Sequence, residues 1–172
     1  MPVIWSSSPS HQFQESDTYD LSIKRDEFLY MASEHQTKAF EIVKGYVKLS
    51  LYSNDGRETI VSILKPGDML GNFDPSQSYA FENAQALSKT ELKVYESLIL
   101  KRAIRHNPSF VMKLLADRQR RIYQLQRQIS SFAFLDVAER IQYFLLFLGK
   151  EYGKIQDGTA FLDNFLTHHD IS

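Results

Sequence analysis

The chain has 172 residues, 43% hydrophobic and 24% charged, and 20 Lys+Arg against 21 Asp+Glu leave a net charge of -1. That length can bury a core without staples, and the balanced charge excludes a polycation that wraps nucleic acid over its whole surface. No cysteine is present, which excludes disulfides, a Cys-held zinc, a thiolate nucleophile and a Cys-ligated iron–sulfur cluster.

Met1 to Ser10 lacks the basic start and apolar stretch of a signal peptide, and no apolar run nears the ~20 residues a bilayer crossing needs. A cytoplasmic protein with no membrane partner is expected. The first forty residues lean acidic and open on a loose arm carrying Ser6-Ser7-Ser8. From Lys38 to about Glu96 the pattern is β. Val47, Leu49 and Leu51 alternate with Lys48, Ser50 and Tyr52, the period of a half-buried strand. Asn54-Asp55-Gly56 supplies a tight turn, and Thr59 to Leu64 reads as the return strand. Lys65-Pro66-Gly67-Asp68 marks another turn, Gly71 closes that segment, and Leu92 to Tyr95 reads as a further strand. Short strands punctuated in this way predict an antiparallel barrel or roll.

After Glu96 the period becomes helical. Ser97 is the expected cap of a short helix to about His106. Asn107-Pro108 then offers a cap and a first-turn proline. From there to Asp136 no Gly or Pro intervenes, and a helix of that length reaches ~45 Å. Leu115, Arg118, Ile122, Leu125, Ile129 and Phe132 repeat at 3–4 spacing, a heptad seam. A core-facing helix in one chain would show the same stripe, but the length and the flanking Arg and Gln favour a coil between two protomers. Arg118 is the polar intruder, expected to snorkel or to pair with Asp117 of the other chain. Between Lys101 and Arg127 lie eight basic residues and one acid, Asp117. The default reading of that run is a solvated helix face, with Arg120, Arg121 and Arg127 beside the seam. Asp136 caps a further helix to about Lys150, and Gly149, Gly153 and Gly158 break the stretch around and beyond its end. Thr167-His168-His169-Asp170 opens another capping box, two residues before the sequence stops, so the sequence reads as cut off within an element.

The order of these parts resembles the Crp/Fnr family of bacterial transcription regulators. Val43 to Leu49 resembles that family's first roll strands, and Ile63 to Gly71 its strand–turn–strand signature. Phe134 to Ile141 resembles its hinge, and Leu166 to Ile171 the first residues of its winged helix-turn-helix. The resemblance implies a mainly β plus α fold: an antiparallel β-roll (double-stranded β-helix, jelly-roll-like), a long dimerisation helix, then the first helices of a truncated DNA-binding domain. The expected divisions are 1–106 for an effector-sensing roll, 107–136 for the dimerisation helix and 137–172 for an incomplete C-terminal domain. It also implies a homodimer, an unidentified small-molecule effector, RNA polymerase as a partner, and promoter DNA bound by the full-length protein only, through paired recognition helices.

In relatives that bind cyclic AMP, a Gly-Glu pair follows the Pro-Gly-Asp turn and an Arg-Ser pair lies a few residues on. Here the first pair is Gly71-Asn72, and an ungapped reading puts the second on Ala80-Phe81. The Thr-Ser that meets the adenine becomes Leu125-Gln126. With the ribose carboxylate and the phosphate's cation gone, cyclic nucleotide is not expected, and the pocket is read as smaller or more apolar. Its candidate lining is Gly71, Asn72, Phe73, Ala80, Phe81, Arg121 and Leu125. Haem is not expected either, because His11, His35 and His106 read as loop or helix-end residues. No metal site is assigned: His168 and His169 are adjacent, and adjacent helical residues do not face one another. A cupin enzyme is the competing class, yet Lys38 to Glu96 contains no histidine to hold its metal. Asp68 and Glu58 read as turn and strand-surface residues, so no catalysis is expected. A stand-alone dimeric ligand-binding or interaction module is the remaining alternative.

Overall fold

The alternation in the first hundred residues resolves into two four-stranded antiparallel sheets. The computed structural model describes residues 18–73, 78–157, 159–161 and 166. The strands are β1 (Tyr19–Ile23), β2 (Phe28–Tyr30), β3 (Ala39–Lys44), β4 (Val47–Tyr52), β5 (Glu58–Leu64), β6 (Met69–Gly71), β7 (Asn83–Ala86) and β8 (Thr90–Tyr95). One sheet runs β1-β8-β3-β6 and the other β2-β7-β4-β5. The chain thus passes back and forth between the sheets, which closes the roll. Ile42, Val47, Leu49, Leu64, Leu70, Leu92 and Val94 meet between the sheets and are buried. At about 25 cal/mol per Å² of apolar surface this layer is the main source of stability.

The β4–β5 hairpin turns at Asn54-Asp55-Gly56 as expected, with Gly56 at φ +85°. Its outer face is less solvated than the alternation suggests. Ser50 is buried, and Lys48 is ion-paired at 3.0 Å with Glu58, which is itself largely covered rather than a strand-surface residue. Strands β1, β2 and β7 have no counterpart in the sequence reading.

Helix α1 (Ser97–His106) begins one residue earlier than expected: Glu96 is the N-cap, without a side-chain bond, and Ser97 sits in the first turn. Asn107 caps α2 (Pro108–Phe134) by accepting from the Phe110 N–H at 3.0 Å. Leu135 then turns extended, so α2 ends short of Asp136. Asp136 starts α3 (Val137–Tyr152), where its side chain accepts from Glu139 N–H and the Glu139 carboxylate accepts from Asp136 N–H, both at 2.9 Å. Gly149 does not break this helix; it lies inside it. A small hairpin comes next, β9 (Lys154–Gln156) with β10 (Thr159–Phe161).

Two clusters bolt the helices to the roll. Ala39, Met69, Tyr95 and Leu100 pack with Phe110 and Leu114. Ile63 and Leu87 pack with Leu148 and Tyr152 of α3, whose Tyr152 hydroxyl donates to the Ile63 carbonyl at 2.7 Å. The Ser6-Ser7-Ser8 arm, His11 and the Thr167–Asp170 helix start lie outside the described residues. His35 makes an edge contact with Tyr79, and His106 ends α1.

Candidate effector site

The long helix does not lie across the roll on apolar contacts alone. Four of its basic residues reach the roll, three of them at acids. Lys113 bonds to Glu41, Arg120 to Asp68, and Arg121 to Glu82 at 2.6 Å, while Arg118 donates to the Met69 carbonyl at 2.6 Å. Four of the eight residues in the basic run read as a solvated face are therefore grips, while Lys101, Arg102 and Arg105 are exposed. Arg118 corrects the seam expectation: it turns inward, its guanidinium lies 4.4 Å from the centre of the Phe73 ring, and its ion pair is with Asp117 of its own chain at 3.3 Å. Its Nε is buried without a hydrogen-bond partner. Arg120 and Arg121 also reach the roll rather than lying beside the seam, Arg120 at the Asp68 turn and Arg121 at Glu82.

Asp68 does more than shape its turn. One oxygen accepts from the Lys65 N–H at 2.9 Å, and the other holds Arg120, which also reaches Asp117. Burial, with the Asp68 charge close by, holds the Asp117 carboxyl above its ordinary range. Glu41 goes the other way: burial opposes its charge, but hydrogen bonds from Lys113 and Tyr95 outweigh that and lower it.

The expected pocket residues separate into those that converge and those that do not. Gly71 sits at φ +92°, and a Cβ there would lie 2.5 Å from the Lys38 carbonyl oxygen, so the β6 edge requires glycine. Asn72 turns toward the neighbouring loop, donating to the Gln36 carbonyl at 2.8 Å. Arg121 meets Glu82, while Phe73 packs against the Ala39, Met69, Tyr95 and Leu100 cluster under the helices. Ala80 packs on the core, and Leu125 is half-buried. Phe81 is 82% exposed and takes no part. The ungapped reading is displaced there: the side chain that turns in is Glu82, 17% exposed, meeting Arg121 at 18%.

Tyr30, from a strand the sequence does not reveal, stands beside this pair. Burial and the adjacent Glu82 carboxylate push its phenol well up, and its ring stacks on Phe40. Glu82 and Tyr30 are thus the site residues absent from the sequence reading, and Arg118, read there as a seam residue, joins them. One signal was available: Arg118 and Arg121 are three apart, so they share a helix face with Leu125.

The inward carboxylate of Glu82 already pairs with Arg121, and Asn72 is an amide that is spent on the Gln36 carbonyl. On α2's outer side, Leu115, Ile122 and Ile129 stand seven residues apart and remain 56%, 49% and 67% exposed. Phe132 is exposed beside them.

Residues 20–107, just over half the chain, match the family described as Cyclic nucleotide-binding domain. The chain is 32% identical over 125 residues to the cAMP-activated global transcriptional regulator CRP of Haemophilus influenzae, covering 72% of this chain and 56% of that protein. It is 26% identical over 155 residues to the global nitrogen regulator of Nostoc sp., covering 88% and 69%. Among solved structures, FixK2 from Bradyrhizobium japonicum superposes with a TM-score of 0.75 at 22% identity, covering 90% of this chain and 75% of that one. The c-di-GMP responsive regulator CLP of Xanthomonas campestris gives 0.73 at 17% identity, covering 80% and 70%. Both show a common fold. The chain spans little more than half the length of the CRP relatives it matches.

Proposed function

The chain belongs to the cyclic nucleotide-binding domain family, in its Crp/Fnr branch, and from that premise we propose that it is the sensing and dimerising part of a transcription regulator. Two copies pair in parallel along α2, and promoter DNA is the partner of the full-length regulator. The observation that carries this reading is the division of labour on α2. One face is tied to the roll through Lys113, Arg118, Arg120 and Arg121, and another presents the open row Leu115, Ile122 and Ile129. A 27-residue helix with an apolar row at heptad spacing matches a two-stranded coil.

The roll's effector, in this proposal, is not a cyclic nucleotide, and the Arg121–Glu82 pair supplies inside the chain a link from roll to helix that a bound anion would otherwise make. Support comes from the inward Glu82, from Asn72 in place of a carboxylate, and from Phe73 stacked under Arg118.

The test is light scattering on the 172-residue chain. The native protein should have twice the chain mass. Ile122→Glu with Ile129→Glu, both at exposed positions that leave the fold intact by circular dichroism, should give the single mass. A dimer that survives the double substitution would place the interface elsewhere.

A further inference from the structure

Outside the roll's interior, the chain carries a cleft of about 890 Å³ between β5, α2 and α3. Its floor is apolar: Ile60, Ile63, Phe144 and Phe147 belong to the cluster that seats α3 on the roll. The size suits a drug-sized ligand, for which sites of roughly 300–1,000 Å³ are usual.

Its charge is one-sided. Arg127 lies over the Tyr143 ring and Arg140 over the Phe132 ring, each guanidinium 5.7 Å from the ring centre. Neither is in an ion pair with a carboxylate among the described residues. A guanidinium held over a ring by cation–π attraction does not spend its N–H donors there, and those donors match a carboxylate two bonds at a time. Arg120, also at the cleft, is satisfied by Asp68 and Asp117. Among the described residues the one carboxylate lining the cleft, Glu151, is held by Lys65 at 3.1 Å. What the cleft offers is two unpaired arginines above an apolar floor.

Of the seam residues only Phe132 lines the cleft. At about 100° of rotation per residue, Tyr123 and Arg127 lie a quarter-turn or more round the helix from the Leu115–Ile122–Ile129 line. The Gln128 amide donates to the Ile60 carbonyl at 3.4 Å and ties α2 to β5 at the cleft.

We propose that this cleft is a second ligand site, for a small amphipathic carboxylate whose acid group is held by Arg127 and Arg140 and whose apolar body lies against Ile60, Phe144 and Phe147. The site touches both helices on either side of Leu135-Asp136, so its occupant would bear on the angle between them. It stands apart from the reading of the roll interior, and its failure would leave that reading untouched.

The probe is 2-naphthoate, with neutral 2-naphthamide as comparator, titrated by calorimetry into the full 172-residue chain. The acid should bind at least ~10-fold more tightly than the amide, and Arg127→Gln and Arg140→Gln should each remove about that factor. Arg57→Gln, at an exposed arginine that is not among the cleft's lining residues, should change nothing. Should a Gln variant lose its circular dichroism, the Lys variant replaces it: it keeps the charge but not the planar fork, and must still weaken binding. Equal affinity for acid and amide, or indifference to both cleft arginines, overturns the proposal. So does equal loss with Arg57→Gln, which would mean general charge attraction. Binding that appears only in the Ile122→Glu, Ile129→Glu variant would assign the cleft to a second copy of the chain and overturn it as well.

Discussion

Glu82→Gln isolates the grip between roll and long helix. It keeps the side chain's size and removes its charge, leaving Arg121 as a largely buried cation facing Tyr30 and Arg118. Breaking a fully buried pair from one side costs about 3–5 kcal/mol. The two side chains here keep 17% and 18% of their exposure, so solvent screening reduces the figure to about 2–3 kcal/mol. For a chain of this size that lowers Tm by about 5–10 °C. Urea unfolding of the native protein, Glu82→Gln, Arg121→Gln and the double variant completes a cycle. The double variant removes both charges, so it should be no less stable than the worse single one, with a coupling of about 1–3 kcal/mol. If the single effects add to within about 0.5 kcal/mol, the two groups act independently and the pair does not seat the helix.

Cyclic AMP and cyclic GMP should give no saturable heat with the native chain at concentrations that would fill a micromolar site; a micromolar isotherm would show that Arg121 leaves Glu82 for a phosphate. Gly71→Ala combines a left-handed backbone with a Cβ driven into the Lys38 carbonyl, and should cost at least about 2 kcal/mol, read as a fall in Tm of roughly 5 °C or more. An unchanged Tm would mean that the β3–β6 edge gives way freely. Glu41 titrates below its ordinary 4.5 in the folded chain, so it favours folding above that pH and loses its contribution as pH falls through the lowered value. Comparison with Glu41→Gln should show a stability gap that is full near neutrality and closes in acid; a gap independent of pH would contradict the assignment.

Elements whose forces are local were legible in the sequence. The alternation through β4, the Asn54–Gly56 turn and the Asn107 and Asp136 caps involve residues a few positions apart, and all four are where the pattern put them. Strand β7 reads Asn-Ala-Gln-Ala, without a β-branched residue, and is a strand only because β4 and β2 flank it. Periodicity marks an apolar stripe but not what covers it. Leu115, Ile122 and Ile129 stay open while Arg118, on the same heptad, meets the roll of its own chain. Glu82 was illegible for a similar reason: its partner is 39 positions away, and the loop before β7 had to be placed before one could see that Phe81 faces out and Glu82 in.

Leu135 and Asp136 are all that joins α2 to α3, and the reciprocal bonds of Asp136 and Glu139 stiffen the start of the second helix. α3 is therefore a rigid lever with a two-residue pivot. Its 16 residues reach about 24 Å, so turning by about 10° at Leu135 would carry the far end through about 4 Å. That far end is pinned: Leu148 is fully buried and Tyr152 is bonded to Ile63. A close-packed contact does not stretch over such a distance; it holds or it lets go. Motion at the pivot then comes as a discrete jump between seats, with the strength of the Tyr152 end setting the threshold.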